Sequence, residues 1–287
     1  MDEQKFLADR FEANRSHLRR VAYRMLGSAA EADDAVQEAW LRLSRSDTSE
    51  IANLGGWLTT VVARICLDML RSRNARKEET LDERTPEPAA PSAAEQEALL
   101  ADSVGLALLV VLQALTPAER IAFVLHDMFD LPFDEIAPVV GRSPDAARQL
   151  ASRARRRVRG APAIPEAEVA RQRAVVDAFL AASRGGDLQA LLGLLDPDVV
   201  VRADAAAVRL GDTAELRGAA AVAQKFKGRA QRARTVLVDG RVGVVVAPRG
   251  KLLLVLLPVI ADGRIVEIEA VADPARLAAF ELAVLDG

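Results

Sequence analysis

Between Arg142 and Arg159 the chain carries seven arginines and one acid, Asp145, a local balance of 7 − 1 = +6 within eighteen residues. The spacing is as informative as the charge. Ala147, Leu150, Ala151, Ala154 and Val158 recur at three- and four-residue steps and form one apolar helical stripe. Gln149, Ser152 and Arg156 fall opposite it, with Arg148 and Arg153 on its flanks. Guanidinium and amide side chains can bond base edges, and arginines and hydroxyls can bond phosphates. Just upstream, Gly141 supplies the backbone freedom of a sharp turn, Ser143 is placed as an N-cap, and Pro144 stands at the first helical position. With helices expected at 117–129 and 133–140, the layout is that of a helix-turn-helix whose last helix enters a DNA groove. Pro138 interrupts the middle helix and predicts a kink or an early stop before the turn.

A second basic element lies far upstream. Trp57–Arg73 reads as a helix with an apolar arc of Leu58, Val61, Val62, Ile65 and Met69. Thr60, Arg64, Asp68 and Arg71 share another face, and Arg71, Arg73, Arg76 and Lys77 crowd the end. A basic track of this kind can follow an unstacked single strand. Arg64 and Asp68, four residues apart, could instead pair with each other. Trp57 is read as core rather than as a stacking platform. Preceding it, 29–44 is expected to be a helix with acids Glu31, Asp33 and Asp34 in its first turns, where the helix dipole favours them. Residues 5–26 predict an amphipathic helix, and Ser44–Gly56 a loop.

The elements that must position these residues fall into three blocks. The chain has 287 residues, 51% hydrophobic and 28% charged, enough for two or three domains. Net charge is −3, so affinity for nucleic acid must come from local patches. Pro86, Pro88 and Pro91 among alanines and acids mark 78–95 as a linker between an all-helical domain at 1–77 and a second at 96–160. Gly160, Pro162 and Pro165 mark the next boundary. Beyond it, 166–287 changes to α+β: helices at 166–184, 187–195 and 218–230, a strand at Val199–Arg202 after a break at Asp196–Pro197, and strands at Thr235–Val238, Val242–Ala247, Leu252–Ile260 and Arg264–Val271.

Several classes are set aside. With Cys66 alone, no disulfide forms within the chain, and two histidines, His17 and His126, cannot build a Cys/His zinc site with it. No cofactor or metal is expected. A reducing, cytoplasmic setting is expected, with no signal peptide and no membrane contact, since the longest apolar run, Leu252–Ala261, is too short to span a bilayer. Residues 160–287 contain no His, Cys, Tyr or Trp, so acid–base chemistry there would fall to Asp204, Glu267 or Glu269. Glu267 and Glu269 share one strand face and read as its wet side, so the chain is not expected to be an enzyme.

AYRMLGS (22–28), DDAVQEAWLRL (33–43) and GWLTTVVARICLDMLRSR (56–73), followed by the helix-turn-helix, resemble the extracytoplasmic-function (ECF) RNA polymerase sigma factors. The resemblance is to the subset with a SnoaL-like C-terminal domain. It implies two helical sigma domains, regions 2 and 4, and a C-terminal cone-shaped α+β fold. It further implies that Asp33, Asp34, Gln37, Glu38 and Leu41 dock on the β′ subunit of core polymerase, with β also a partner. Thr60, Arg64, Arg71, Arg73, Arg76 and Lys77 are implied at the minus-ten element, and Arg142, Ser143, Arg148, Gln149, Ser152, Arg153 and Arg156 at the minus-thirty-five element of promoter DNA. The C-terminal domain is implied to regulate in cis by contacting the sigma domains. AlaAspProAlaArgLeu at 272–277 is similar to a motif of that subset and makes Asp273, Pro274 and Leu277 the regulatory candidates, whereas the glycine-rich stretch expected after the first strand is replaced by ADAAAVRLGD (203–212). The other reading of the chain is a ligand-sensing DNA-binding regulator that acts without polymerase.

Overall fold

A computed structural model describes residues 2–46, 51, 53–79, 103–248 and 252–285, and within its helices the side chains of 2–6, 74, 76–79, 103, 104 and 106 are outside the description. Most of the linker at 78–95 and the start of the block at 96–160 lie outside the described residues, as do much of the loop at 44–56 and the turn at Arg249–Gly250.

The chain forms two compact units. The first contains α1 (Asp2–Leu26), α2 (Ala29–Leu43), α3 (Leu54–Glu79), α5 (Pro117–Phe123), α6 (Phe133–Val140) and most of α7 (Pro144–Arg159). The apolar arcs read from the sequence become its core: Phe11, Leu18, Met25, Leu26, Leu43, Leu58 and Leu67 are fully buried, as are Ile121, Leu125 and Ile136. Trp57 is half-buried. Trp40 packs on Phe11 at 5.1 Å between ring centroids. Cys66 is a buried packing residue, and burial pushes its thiol far up from the ordinary range.

Helix ends follow the local chemistry. Ser28 caps α2 by accepting from the Glu31 N–H. Thr116 and Glu119 form a reciprocal capping box at the start of α5, with Pro117 at the first position. The helix expected over 117–129 splits: α5 gives way at Val124–Met128 to one π-type turn, which lets His126 Nδ1 reach the Leu131 carbonyl at 3.0 Å. Pro138 does not end α6 early. The helix runs on to Val140 because Gly141, at φ 67°, closes it with a left-handed cap.

The second unit contains α4 (Ser103–Gln113), the end of α7 from Arg157, and all that follows. Its later elements are α8 (Glu166–Gly185), α9 (Leu188–Leu194), β1 (Leu195–Ala203), α10 (Ala205–Arg209), β2 (Glu215–Arg217), α11 (Ala219–Phe226), β3 (Ala233–Val238), β4 (Arg241–Val246), β5 (Leu254–Ala261), β6 (Arg264–Val271), α12 (Pro274–Ala279) and β7 (Leu282–Ala283). The strands form one sheet in the order β2-β1-β6-β5-β4-β3-β7, with β1 parallel to β6 and the other pairs antiparallel. Val176, Phe179 and Leu180 of α8 and Val222 and Phe226 of α11 share a core with Val199, Val201, Leu237, Val244 and Ile268 of the sheet. Asp196–Pro197 does not break the chain: both lie in β1, where the register shifts between Leu195 and Val200, a bulge that absorbs the proline.

Candidate nucleic-acid interface

α7 is built as its sequence specifies. Ser143 accepts from the Ala146 N–H at 3.3 Å, and Gly141 and Arg142 both donate to the Ala137 carbonyl. Ala147, Leu150, Ala151 and Ala154 are buried, while Arg142, Ser143, Arg148, Gln149, Ser152, Arg153 and Arg156 are all exposed. The interior thus takes the apolar residues and leaves these seven polar side chains in water. Not all the arginines are equally placed. Arg155, absent from the expected readers, is held by Asp127 at 2.6 Å, and Arg153 lies 3.8 Å from Glu119. Arg148 donates to Asp145 at 2.6 Å.

α3 carries its candidates more sparingly. Arg64, Asp68 and Arg71 are exposed, and no ion pair joins Arg64 to Asp68 among the described residues. Thr60 is half-buried and donates to the Gly56 carbonyl at 3.0 Å. Arg73 reaches back across the bundle to Glu31 at 2.7 Å. The side chains of Arg76 and Lys77 lie outside the description. On α2, Asp33, Asp34 and Gln37 are exposed, Asp33 pairs with Arg19 at 2.7 Å and Glu38 with Arg42 at 3.0 Å. Leu41 stands 38% exposed on this otherwise charged helix, an apolar point suited to a partner's surface.

Within the first unit, α3 packs against α5 and α6. The Arg120 guanidinium is buried there and donates to the Met25 carbonyl at 3.1 Å, at the negative end of the α1 dipole. Burial, and then the charge of Arg73, depress its pKa. His17 of α1 lies 3.4 Å from the Thr59 hydroxyl and edge-on to Phe129 at 5.4 Å; burial, then Arg20, depress its pKa. The sequence pattern showed neither contact, because neither is local.

Two Sigma-70 families match this chain: region 2 over residues 10–76 and region 4 over 105–158. The chain is 41% identical over 250 residues to the ECF RNA polymerase sigma factor SigJ of Mycobacterium tuberculosis (strain ATCC 25618 / H37Rv), which covers 83% of this chain and 80% of SigJ. This chain is an ECF RNA polymerase sigma factor. It is also 40% identical to the probable ECF sigma factor SigI of Mycobacterium tuberculosis (strain CDC 1551 / Oshkosh) over 68% of this chain and 69% of that one. Among solved structures, the crystal structure of SigJ aligns over 94% of this chain and 98% of its own at 35% identity, with a TM-score of 0.45. As a sigma factor, the chain binds core RNA polymerase and promoter DNA and takes part in transcription initiation.

In the second unit, the stretch ADAAAVRLGD forms α10 in place of the expected glycine-rich segment, with Asp204 as its cap. Asp204 also accepts from the N–H groups of Ala272 and Asp273 at 3.0 and 2.9 Å. Desolvation alone would raise its pKa, but the N–H bonds from Ala207, Asp273, Ala272 and Ala206 together hold it below the usual range. Asp273 caps α12 by accepting from Ala275 and Arg276, Pro274 takes the first position, and Leu277 is half-buried. Glu267 pairs with Arg202 at 2.5 Å and Glu269 with Arg276 at 2.8 Å. No group of three or more His, Cys, Asp or Glu able to hold a metal, and no helix long and apolar enough to cross a membrane, occurs among the described residues.

Proposed function

We propose that this sigma factor reads a promoter at two points. α7 reads the minus-thirty-five element through Arg142, Ser143, Arg148, Gln149, Ser152, Arg153 and Arg156. α3 and the loop before it hold the minus-ten strand through Thr60, Arg64, Arg71, Arg73, Arg76 and Lys77. α2 docks on the β′ subunit of core polymerase through Asp33, Asp34, Gln37, Glu38 and Leu41, and region 4 faces β. The observation that supports this reading best is the clean division of α7: its apolar stripe is buried and all seven named polar residues are exposed. Such a helix presents its polar face to solvent, where a groove can meet it. The setting is the cytoplasm, where polymerase works.

The linker at 78–95 separates the blocks 1–77 and 96–160, and the block 166–287 modulates initiation in cis without chemistry of its own. Of its three candidate acids, Asp204 is engaged as a helix cap and Glu267 and Glu269 are paired with arginines, which leaves none of them a free general acid or base. Asp273, Pro274 and Leu277 serve that regulation by fixing the α12 segment. The test is run-off transcription with core polymerase on a matching promoter, comparing the whole chain with one ending at residue 165. Initiation by both, differing in level or promoter choice, with equal core binding, supports the proposal. Equal activity and promoter choice would remove the regulatory role, and no initiation by either would remove the promoter reading.

A further inference from the structure

Among the described residues, Arg148 is the one α7 arginine that rests on an aromatic ring: its guanidinium carbon lies 5.3 Å from the centre of the Phe133 ring. Phe133 is itself fixed. It opens α6, is half-buried, and stacks against His126 with 4.0 Å between ring centroids and 34° between planes. His126 is held in turn by the bond between its Nδ1 and the Leu131 carbonyl, which the π-type turn at Val124–Met128 and the left-handed Asp130, at φ 55°, bring into reach. On another side, Asp145 takes one Nη1 bond from Arg148 at 2.6 Å. The Arg148 side chain remains 60% exposed. An arginine in water samples many rotamers, and a guanidinium stacked on a ring and tethered at one nitrogen samples few.

From this geometry we propose that Phe133 and Asp145 are positioning residues that preset Arg148 to read a guanine in the major groove of the minus-thirty-five element. Phe133 thereby governs base selectivity without touching DNA. The chemistry fits. With Nη1 spent on Asp145, the guanidinium keeps its Nε–Nη2 edge, which matches the O6 and N7 acceptors of guanine. The exposed Asp145 carboxylate can accept from the N4 amino group of a neighbouring cytosine. A side chain already held in its reading pose loses less freedom on binding, and that gain accrues to the matched base alone. The inference rests on the reading of α7 as the minus-thirty-five helix and names a base and a mechanism within it.

The experiment uses the full chain in holoenzyme with core polymerase and measures binding to a promoter library randomised across the minus-thirty-five element. Arg148→Ala should flatten the preference for guanine at one position by about tenfold. Phe133→Leu should flatten the same position by about fivefold and spare the others, and Phe133→Tyr, which keeps the ring, should restore it to within about twofold. The double variant Phe133→Leu/Arg148→Ala should be no flatter than Arg148→Ala alone. If Arg148→Ala flattens a position that Phe133→Leu leaves intact, or if the two effects simply add, the positioning role is overturned while the α7 reading stands. A Phe133→Leu loss spread evenly over all positions and not restored by Phe133→Tyr also overturns it. If Arg148→Ala changes no base preference at all, the base contact itself fails, and the positioning role with it.

Discussion

α7 and α3 are both proposed to meet DNA, yet they solve different packing problems. α7 lies at the surface, so half its circumference is free and its charge can reach +6 between Arg142 and Arg159. α3 is wedged among α1, α2, α5 and α6, and buries Leu58, Val62, Ala63 and Cys66 completely. Over Leu54–Glu79 its balance is 5 − 3 = +2, and one of its cations, Arg73, is turned inward onto Glu31. A peripheral helix can thus be specialised for long cationic contacts, whereas a central helix must offer a narrow polar strip between its buried neighbours.

The sharpest way to break this contrast is charge reversal. Arg153→Glu with Arg156→Glu should weaken promoter binding by about a hundredfold and lower the slope of affinity against salt by about two, read by titration at several salt concentrations. The same reversal at Arg71 alone should cost less than a tenth of that loss. A larger effect at Arg71 would show that α3, not α7, supplies the main electrostatic anchor.

A smaller effect separates the kinds of DNA each helix meets. Arg64→Ala should reduce capture of a single-stranded minus-ten oligonucleotide by about fivefold and leave duplex minus-thirty-five binding within about twofold. An equal loss on both would collapse the distinction between the helices.

Arg73 tests how far α3 is structural. Its ion pair with Glu31 is two-thirds buried on each side, so Arg73→Ala should destabilise the first unit by about 1 kcal/mol in denaturant unfolding. Glu31→Gln should reproduce that loss. Weaker minus-ten binding by Arg73→Ala but not by Glu31→Gln is expected if Arg73 is both a brace and a DNA contact; equal binding by the two variants would leave it a brace alone.

The smallest expected effect is on pH. His17 packs by Thr59 of α3, and burial depresses its pKa, so the native state binds fewer protons than the unfolded state below about pH 6.5. Its contribution is complete above that pH and is lost as the pH falls from there toward the depressed folded value. His17→Gln should flatten this slope in melting temperature between about pH 7 and pH 5. An unchanged slope would place the acid sensitivity elsewhere in the first unit.

Much was legible in the chain because it is local. Ser143, Pro144 and Gly141 set the bounds of α7, and its three- and four-residue apolar steps fixed which face is buried, so the exposed polar residues followed. Arg264–Val271 was bounded as a strand for the same reason, having a turn at Asp262–Gly263 and an apolar run. The misses came where a short segment depends on distant partners. α10 exists because Asp204 caps it and is itself held by Ala272 and Asp273, some 68 residues away. β2 is three residues long and is defined by pairing with β1. Asp196–Pro197 broke a pattern that a bulge in β1 then accommodated.

By itself, then, the sequence determined the class of the molecule: two helical sigma blocks, an α+β block, and the face of α7 that meets solvent. Periodicity and capping are nearest-neighbour properties, and they suffice for that. Tertiary structure decided what individual charges do. Arg73, Arg120, Arg148 and Arg156 are chemically one residue type, yet one braces a helix pair, one is buried on the carbonyl end of α1, one rests on an aromatic ring and one projects into water. A guanidinium's role follows from the dielectric and the acceptors around it, and only the packed chain brings those acceptors into place.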